Sequence, residues 1–395
     1  MLDRIAQSVV DLVDERRVAN FALELVKIRS YTGETLEASA FYVDALRRTG
    51  LTVDVYPDYP RTPSIVGRLK GSGGGRSLEL NAHIDTIPVD HAPAEIRDGV
   101  LYGRGATDMK GGLAALTEAA WALQDAGVSL QGDLLLSTHG LHELPVGHGE
   151  DLIARVRRGI HGDAAIVAEC GAHILPIVGL GAGMFEITLS RPGEVDHENS
   201  TPRDTPHPIL AGARLVTLLQ ERNLSLSQYT VPFAGPESLF VGEFHGGDFY
   251  NRFPNVCRVT GIRRWAPEHN FEDARAEVAA ICERVAEEYG LTVDLSMAKT
   301  RDGFRVDEND RLVQVVRDAY NGVTGQVLPF AGLRSVADAS VFNQVGGIPA
   351  LYHGPGGTGH HGDVEAMPVA ELVRAAKVFA LCALEYCEGN GNAAG

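Results

Sequence analysis

What most constrains the fold is an alternation of apolar runs with amphipathic stretches, broken once in the middle. Strands are expected at "LTVDVY", "SIVGRL", "SLELNAH", "DLLLSTH" and "DAAIVAEC", with helices ending near "ALRRTG" and over "GGLAALTEAAWALQDAG". This pattern implies a mixed, largely parallel sheet covered by helices. From 183 to 297 the order becomes strand "MFEITLS", helix "PILAGARLVTLLQER", strands "FVGEFHG" and "CRVTGIRRW", helix "FEDARAEVAAICERVAEEYG" and strand "TVDLSM". A βαββαβ order of this kind closes into a small ferredoxin-like sandwich of its own. Helix "DENDRLVQVVRDAYNGV", strand "PALYHG" and helix "PVAELVRAAKVFALCALEYC" then restore the first pattern. The expectation is therefore an α/β domain of residues 1–182 and 298–395 with a second domain, 183–297, inserted into it. A chain of 395 residues is also too long for one ordinary core. The tail "EGNGNAAG" is expected to fray.

Charge and cysteine usage exclude several classes. There are 35 Lys and Arg against 52 Asp and Glu, and a formal charge of −17 does not make a nucleic-acid surface. Five cysteines without a CxxC pair fit a reducing cytoplasm. The N-terminal stretch "MLDRIAQSVVDLVDERRVANFALELVKI" interrupts its apolar positions with charge, so neither a signal peptide nor a membrane span is expected there.

In a parallel sheet, chemistry collects beyond the carboxyl ends of the strands. His83 and Asp85 end "SLELNAHID", and Asp108 follows the Gly-rich turn "LYGRGATD" directly before a helix. Glu143 follows "DLLLS", Glu169 follows "AAIVA", and His361 follows "PALYHGPGGTGH". Any one of these is unremarkable as a solvated loop residue. Two histidines and three acids at equivalent places on one sheet edge imply a metal site, and mixed nitrogen and carboxylate ligation suits zinc, with cobalt or manganese tolerated.

The stretch "THGLHELPVGHGE" adds His139, His142, His148 and Glu150 around Glu143. It is not a zincin helix, because Val146 stands four residues after His142 and Pro145 would break the helix. No GxSxG nucleophile motif occurs, and "GSGGG" lacks the Lys-Ser/Thr of a phosphate loop.

Taken in order, "ELVKIRSYTGET", "LNAHIDTIPV", "LYGRGATDMKGG", "IVAEC", "GGDFYNRFPN", "VADASVFNQVGGIPALYHGPG" and "HHGDVEAMPVAEL" resemble the co-catalytic metallopeptidase family of carboxypeptidase G, acetylornithine deacetylase, succinyl-diaminopimelate desuccinylase and aminoacylase-1. The resemblance covers nearly the whole chain. It implies two divalent metal ions: His83, Asp108 and Glu169 at one, Asp108 bridging, and Glu143 with His361 at the other. His361 begins an H-x-x-x-E pattern that ends at Glu365. The resemblance also implies that Asp85 orients His83 and that the inserted domain serves dimerisation and acts as a lid. His197, four residues after Gly193, would then reach the partner's site in a homodimer and stabilise an oxyanion. Asn251, Arg264 and Arg334 would hold a substrate carboxylate, with Arg263 the neighbouring alternative to Arg264.

One departure from the family bears on the reaction. Two adjacent glutamates normally follow this strand, the first acting as general base. Aligning Glu143 with the second puts His142 in the place of the base. A neutral imidazole can take a proton from water near neutral pH, although two dications would disfavour its charged form. His142 is thus read as base, extra ligand or substrate contact, with His139, His148 and Glu150 as alternatives for proton transfer. The leading expectation is hydrolysis of a C–N amide bond in an N-acyl amino acid, dipeptide or related small carboxylate by metal-activated water. The alternatives are hydrolytic deamination of a non-peptide, aromatic amine and a non-catalytic binding protein on the same scaffold.

Overall fold

A computed structural model describes residues 2–143, 145–335 and 338–388; most of the tail expected to fray lies outside them. The chain divides into two compact units. The first holds the chain up to Ile177 and most of it after Val306; the second holds Val178–Arg305 and a short stretch from Gly332.

Ten strands form the main sheets of the two units. Thr52–Tyr56 (β1), Ser64–Leu69 (β2), Leu78–His83 (β3), Leu134–His139 (β4) and Ala164–Val167 (β5) precede the second unit. Gly181–Ser190 (β6), Ser238–Gly246 (β7), Val256–Trp265 (β8) and Thr292–Arg301 (β9) lie in the second unit or at its border, and Ala350–Tyr352 (β10) returns to the first.

The first unit's sheet has the order β1-β2-β4-β3-β5-β10. Strands β4, β3, β5 and β10 run parallel, whereas β1 and β2 are antiparallel at one edge. Every residue of β3 and β4 is buried, as expected for central strands covered on both faces. Leu78, Leu80 and Ala82 share one face of β3, and Glu79, Asn81 and His83 share the other. Helices Lys110–Asp125 and Val369–Tyr386 pack together, and the former lies on β3. Each leucine buried there contributes about 1.5–3 kcal/mol. On the polar face Glu79 is fully buried yet satisfied, accepting from Arg155 at 2.7 Å. That pair ties helix Glu150–Arg157 to the sheet.

In the second unit four antiparallel strands order as β7-β8-β6-β9, with helices Pro208–Leu226 and Phe271–Tyr289 packed on them. Phe185, Ile187, Leu215, Leu219, Val259 and Val278 form its core. An Asn270–Asp273 capping box starts the second helix and Gly290 in the left-handed region ends it. Strands β6 and β9 run past the apolar segments that mark them in sequence, because Trp265 pairs with Gly181 and Arg301 with Ala182. No helix among the described residues is long and apolar enough to cross a membrane.

Candidate metal centre

The parallel register gathers the strand ends. His83 and His139 are ladder partners at the last positions of β3 and β4. Val167 of β5 pairs with Asn81, so continuing that register by two residues puts Glu169 level with His83. Asp108 comes in from the side, and glycine allows it. A Cβ on Gly112 would lie 2.3 Å from the Ala168 carbonyl oxygen, and one on Gly354 would lie 2.6 Å from the same atom. Only glycine permits these two approaches beside Glu169.

Asp108 is held in place by Glu365. The Glu365 carboxylate is buried and accepts the backbone N–H groups of Gly105, Thr107 and Asp108 at 3.0, 3.1 and 3.3 Å. Arg104 closes the arrangement at 2.6 Å. His361 lies four residues before Glu365 in a turn closed by Gly362 N–H donating to the Gly359 carbonyl. At φ 57° it occupies the left-handed region, a conformation costing about 1–3 kcal/mol that clusters at functional sites.

The side chains then converge. Asp108 Oδ1 lies 3.1 Å from His83 Nε2, and its Oδ2 lies 3.3 Å from His361 Nε2. One carboxylate thus faces both histidines, one oxygen to each. His361 Nε2 is also 3.1 Å from both Glu143 oxygens. Ligand atoms of His83, Asp108 and Glu143 all lie within 4.8 Å of one another. Glu169 contributes a buried Oε2 with no hydrogen-bond partner among the described residues, and burial pushes its carboxyl group up to about 7. These features fit two divalent cations: three carboxylates face two imidazoles, and an otherwise orphaned carboxylate oxygen has a reason to be buried.

Asp85 does more than orient His83. Its backbone carbonyl faces His83 Nδ1 at 3.0 Å and its Oδ1 lies 3.4 Å away, which puts the proton on Nδ1 and leaves Nε2 with the lone pair a metal needs. Its Oδ2 accepts the Thr32 hydroxyl at 2.8 Å and the N–H groups of His142 and Glu143 at 3.1 and 3.0 Å. One buried carboxylate therefore also fixes the loop that presents Glu143.

The histidines of that loop separate. His142 stacks on His83, with ring centroids 3.9 Å apart and planes 9° apart. Its Nδ1 lies 2.8 Å from Asp338 Oδ2. Burial opposes charge on His142, but the Asp338 carboxylate outweighs it and raises the imidazole to about 9. His139, an alternative for proton transfer in the sequence reading, is the last residue of β4; it is fully buried, with Nε2 3.0 Å from the same Asp338 oxygen. Glu150 accepts the His148 N–H at 2.7 Å at the start of its helix, so it serves the turn. Asp338, its pairing with His139 and the anchoring role of Glu365 escaped the sequence reading. The only signals were the presence of Asp338 and Glu365 inside quoted motifs.

In the second unit His197 and Asn251 meet, with His197 Nε2 3.1 Å from the Asn251 amide nitrogen. The Asn199 N–H lies 3.2 Å from His197 Nδ1, and the Glu198 carboxylate lies 2.9 Å from the same nitrogen. Arg263 is buried and committed to Glu237 at 2.6 Å and Glu277 at 3.0 Å, so it is a core ion-pair residue. Arg264 points elsewhere and donates to the Arg334 carbonyl at 2.5 Å. Burial, reinforced by the Arg334 charge, lowers its proton affinity, and the exposed Arg334 completes a cationic pair.

The family model "Peptidase family M20/M25/M40" matches residues 80–385. A curated relative, N-formyl-4-amino-5-aminomethyl-2-methylpyrimidine deformylase of Halalkalibacterium halodurans, is 26% identical over 389 residues, covering 89% of this chain and 90% of its own. Succinyl-diaminopimelate desuccinylase of Methylobacterium radiotolerans is 27% identical over 391 residues, covering 93% and 96%. Among solved structures, the aminopeptidase PepT of Bacillus cereus superposes with a TM-score of 0.79 at 19% identity, covering 95% of this chain and 99% of that one. At that identity the last likeness concerns the fold alone.

Proposed function

This chain belongs to peptidase family M20/M25/M40 and is a hydrolase of amide C–N bonds, and on that premise we propose that it cleaves the acyl–nitrogen bond of an N-acyl amino acid, dipeptide or related small carboxylate. The observation that carries the reading is the Asp108 carboxylate, which presents one oxygen to His83 and the other to His361. In this reading His83, Asp108 and Glu169 hold one cation, and Asp108, Glu143 and His361 hold the second. Zinc is the metal that best suits the donor set. Bound there, the cations lower the pKa of water and polarise the scissile carbonyl.

The remaining roles fall to the chain itself. His142 Nε2 accepts the proton released as water adds to the carbonyl carbon, then returns it to the departing nitrogen. His197 stabilises the developing oxyanion from the partner subunit of a homodimer, with Asn251 beside its ring. Arg264 and Arg334 receive the substrate carboxylate. The second unit is then a dimerisation and lid domain. A cytoplasmic setting is supported by five cysteines that are all free.

A second reading, release of an amine from a ring-bearing substrate, draws on Phe249 and Tyr250. Their exposed rings lie 4.7 Å apart immediately before Asn251, and flat ligands stack on such surfaces. Elemental analysis, combined with amine and ammonia release from N-formyl, N-acetyl and N-succinyl amino acids and amino-substituted ring acids, tests both. About two metals per chain with cleavage of N-acyl amino acids is the expected result. Release from ring substrates alone transfers the assignment to the second reading, and absence of bound metal refutes both.

A further inference from the structure

We propose that Asp338 and His139 are positioning residues that fix the tautomer and plane of His142. The inference rests on the reading of His142 as proton acceptor and extends it to the two buried residues behind that ring. Asp338 Oδ2 lies 2.8 Å from His142 Nδ1 and 3.0 Å from His139 Nε2. Two ring nitrogens facing one carboxylate oxygen must both carry hydrogen, because an ionised carboxylate only accepts. Asp338 is fully buried, and the two histidines that face it hold its carboxyl well below the usual carboxylate range against the cost of burial.

The far side of His139 agrees with this assignment. Its Nδ1 faces the Asn81 amide nitrogen, a donor, at 3.5 Å. Asn81 also donates to Ser137 Oγ at 2.8 Å, and Ser137 donates to the Glu79 carboxylate that Arg155 pairs. Donors and acceptors therefore run in one direction, from Asn81 through His139 into Asp338. This buried chain keeps His139 from rotating and so keeps the Asp338 oxygen in place.

With Nδ1–H of His142 committed to Asp338, Nε2 is the nitrogen that carries the lone pair whenever the ring is neutral. The ring that carries it lies parallel to His83 at 3.9 Å. Hydrogen bond and stacking together fix both the atom that accepts a proton and the plane in which it does so. A glutamate base needs no such device, since either carboxylate oxygen serves. An imidazole does, because one of its two nitrogens is always the wrong one.

The test uses the zinc-reconstituted enzyme and N-formyl, N-acetyl and N-succinyl amino acids. Asp338→Asn is expected to lower kcat about 10²–10⁴-fold, with KM within about threefold and metal content unchanged. His139→Gln, which still offers a donor to Asp338, should cost about tenfold or less and covers the case in which the first variant fails to fold. His142→Ala should fall as far as Asp338→Asn and be partly rescued by added imidazole. Independently of any substrate, ¹⁵N spectra recorded at a pH where the His142 ring is neutral should show Nδ1–H on His142 in the native protein and lose that preference in Asp338→Asn. An Nε2–H native tautomer overturns the proposal, as does an Asp338→Asn enzyme within about threefold of wild type while His142→Ala is inactive. Full activity of His142→Ala would instead overturn the proton-acceptor reading itself. Loss of a metal equivalent in Asp338→Asn would make the three residues a cation site and sink the positioning role.

Discussion

Glu365→Gln should damage the metal centre without touching a residue that faces the cations. The carboxylate receives three backbone N–H groups from the turn that carries Asp108 and pairs with Arg104 in a nearly dry environment, their side chains being 1% and 9% exposed. Glutamine keeps the shape and one acceptor oxygen but removes the charge. Arg104 is left with the Gly362 and Val89 carbonyls as its remaining partners. Breaking a buried pair from one side costs about 3–5 kcal/mol, and retention of one acceptor reduces this to about 2–4 kcal/mol. A turn loosened by that amount no longer fixes Asp108 between His83 and His361, so metal affinity should fall about 10–100-fold, the range for residues that orient ligands. Urea denaturation of the metal-free protein gives the stability change, and competition with a chromogenic chelator gives the affinity. A change below about 0.5 kcal/mol with unaltered affinity would refute the argument that Glu365 sets the Asp108 turn.

Glu169→Gln should act with opposite signs on stability and binding. Burial raises this carboxyl from 4.5 to about 7, so at pH 8 the ionised group destabilises the metal-free fold by up to about 3 kcal/mol. The variant should melt higher without metal and bind metal more weakly; a lower melting temperature would contradict the assignment. The metal-free protein should also lose stability as pH rises from 6 to 10. His142 and His361 are raised from 6.5 to about 9, the first chiefly by Asp338 against burial and the second by Asp108. Both stabilise fully below about 6.5 and lose that contribution as pH passes 9, while Glu169 works in the same direction between 4.5 and 7. A melting temperature that increases across this window would be incompatible with these shifts. Finally, Arg263→Ala should destabilise by about 3–5 kcal/mol through loss of the Glu237 and Glu277 pairs, whereas Arg264→Ala should chiefly raise KM for carboxylate substrates. A reversal of these two phenotypes, read by denaturation and steady-state kinetics, would show that the two arginines had been assigned the wrong way round.

The largely parallel, helix-covered sheet and the candidate ligands at its edge could be read from sequence because both depend on local pattern. A carboxylate or histidine at or just past the end of an apolar strand lands on the sheet edge whatever happens elsewhere, and this placed His83 and Glu169, whereas Glu143 lies four residues beyond β4 on a loop held by Asp85. The illegible parts depend on which side chain faces which across long separations. Asp338 meets His139 and His142 from 199 and 196 residues away, and Glu365 reaches back 257 to 260 residues to the turn before Asp108. Arg263 and Arg264 could not be told apart because the apolar pattern of "TGIRRW" does not assign its faces; strand alternation turns only the first toward Glu237 and Glu277. The same limit explains why His142, viewed alone in the sequence, could be read as base, extra ligand or substrate contact. Its partner acid lies in another part of the chain and shares one oxygen with a histidine at the end of the neighbouring strand. Restoring glutamate at 142 alone would set two carboxylates against each other at that oxygen, raising the proton affinity of one of them and spoiling it as an ionised base. The residue at 142 is therefore coupled to those at 139 and 338, and a variant that alters one must be interpreted through all three.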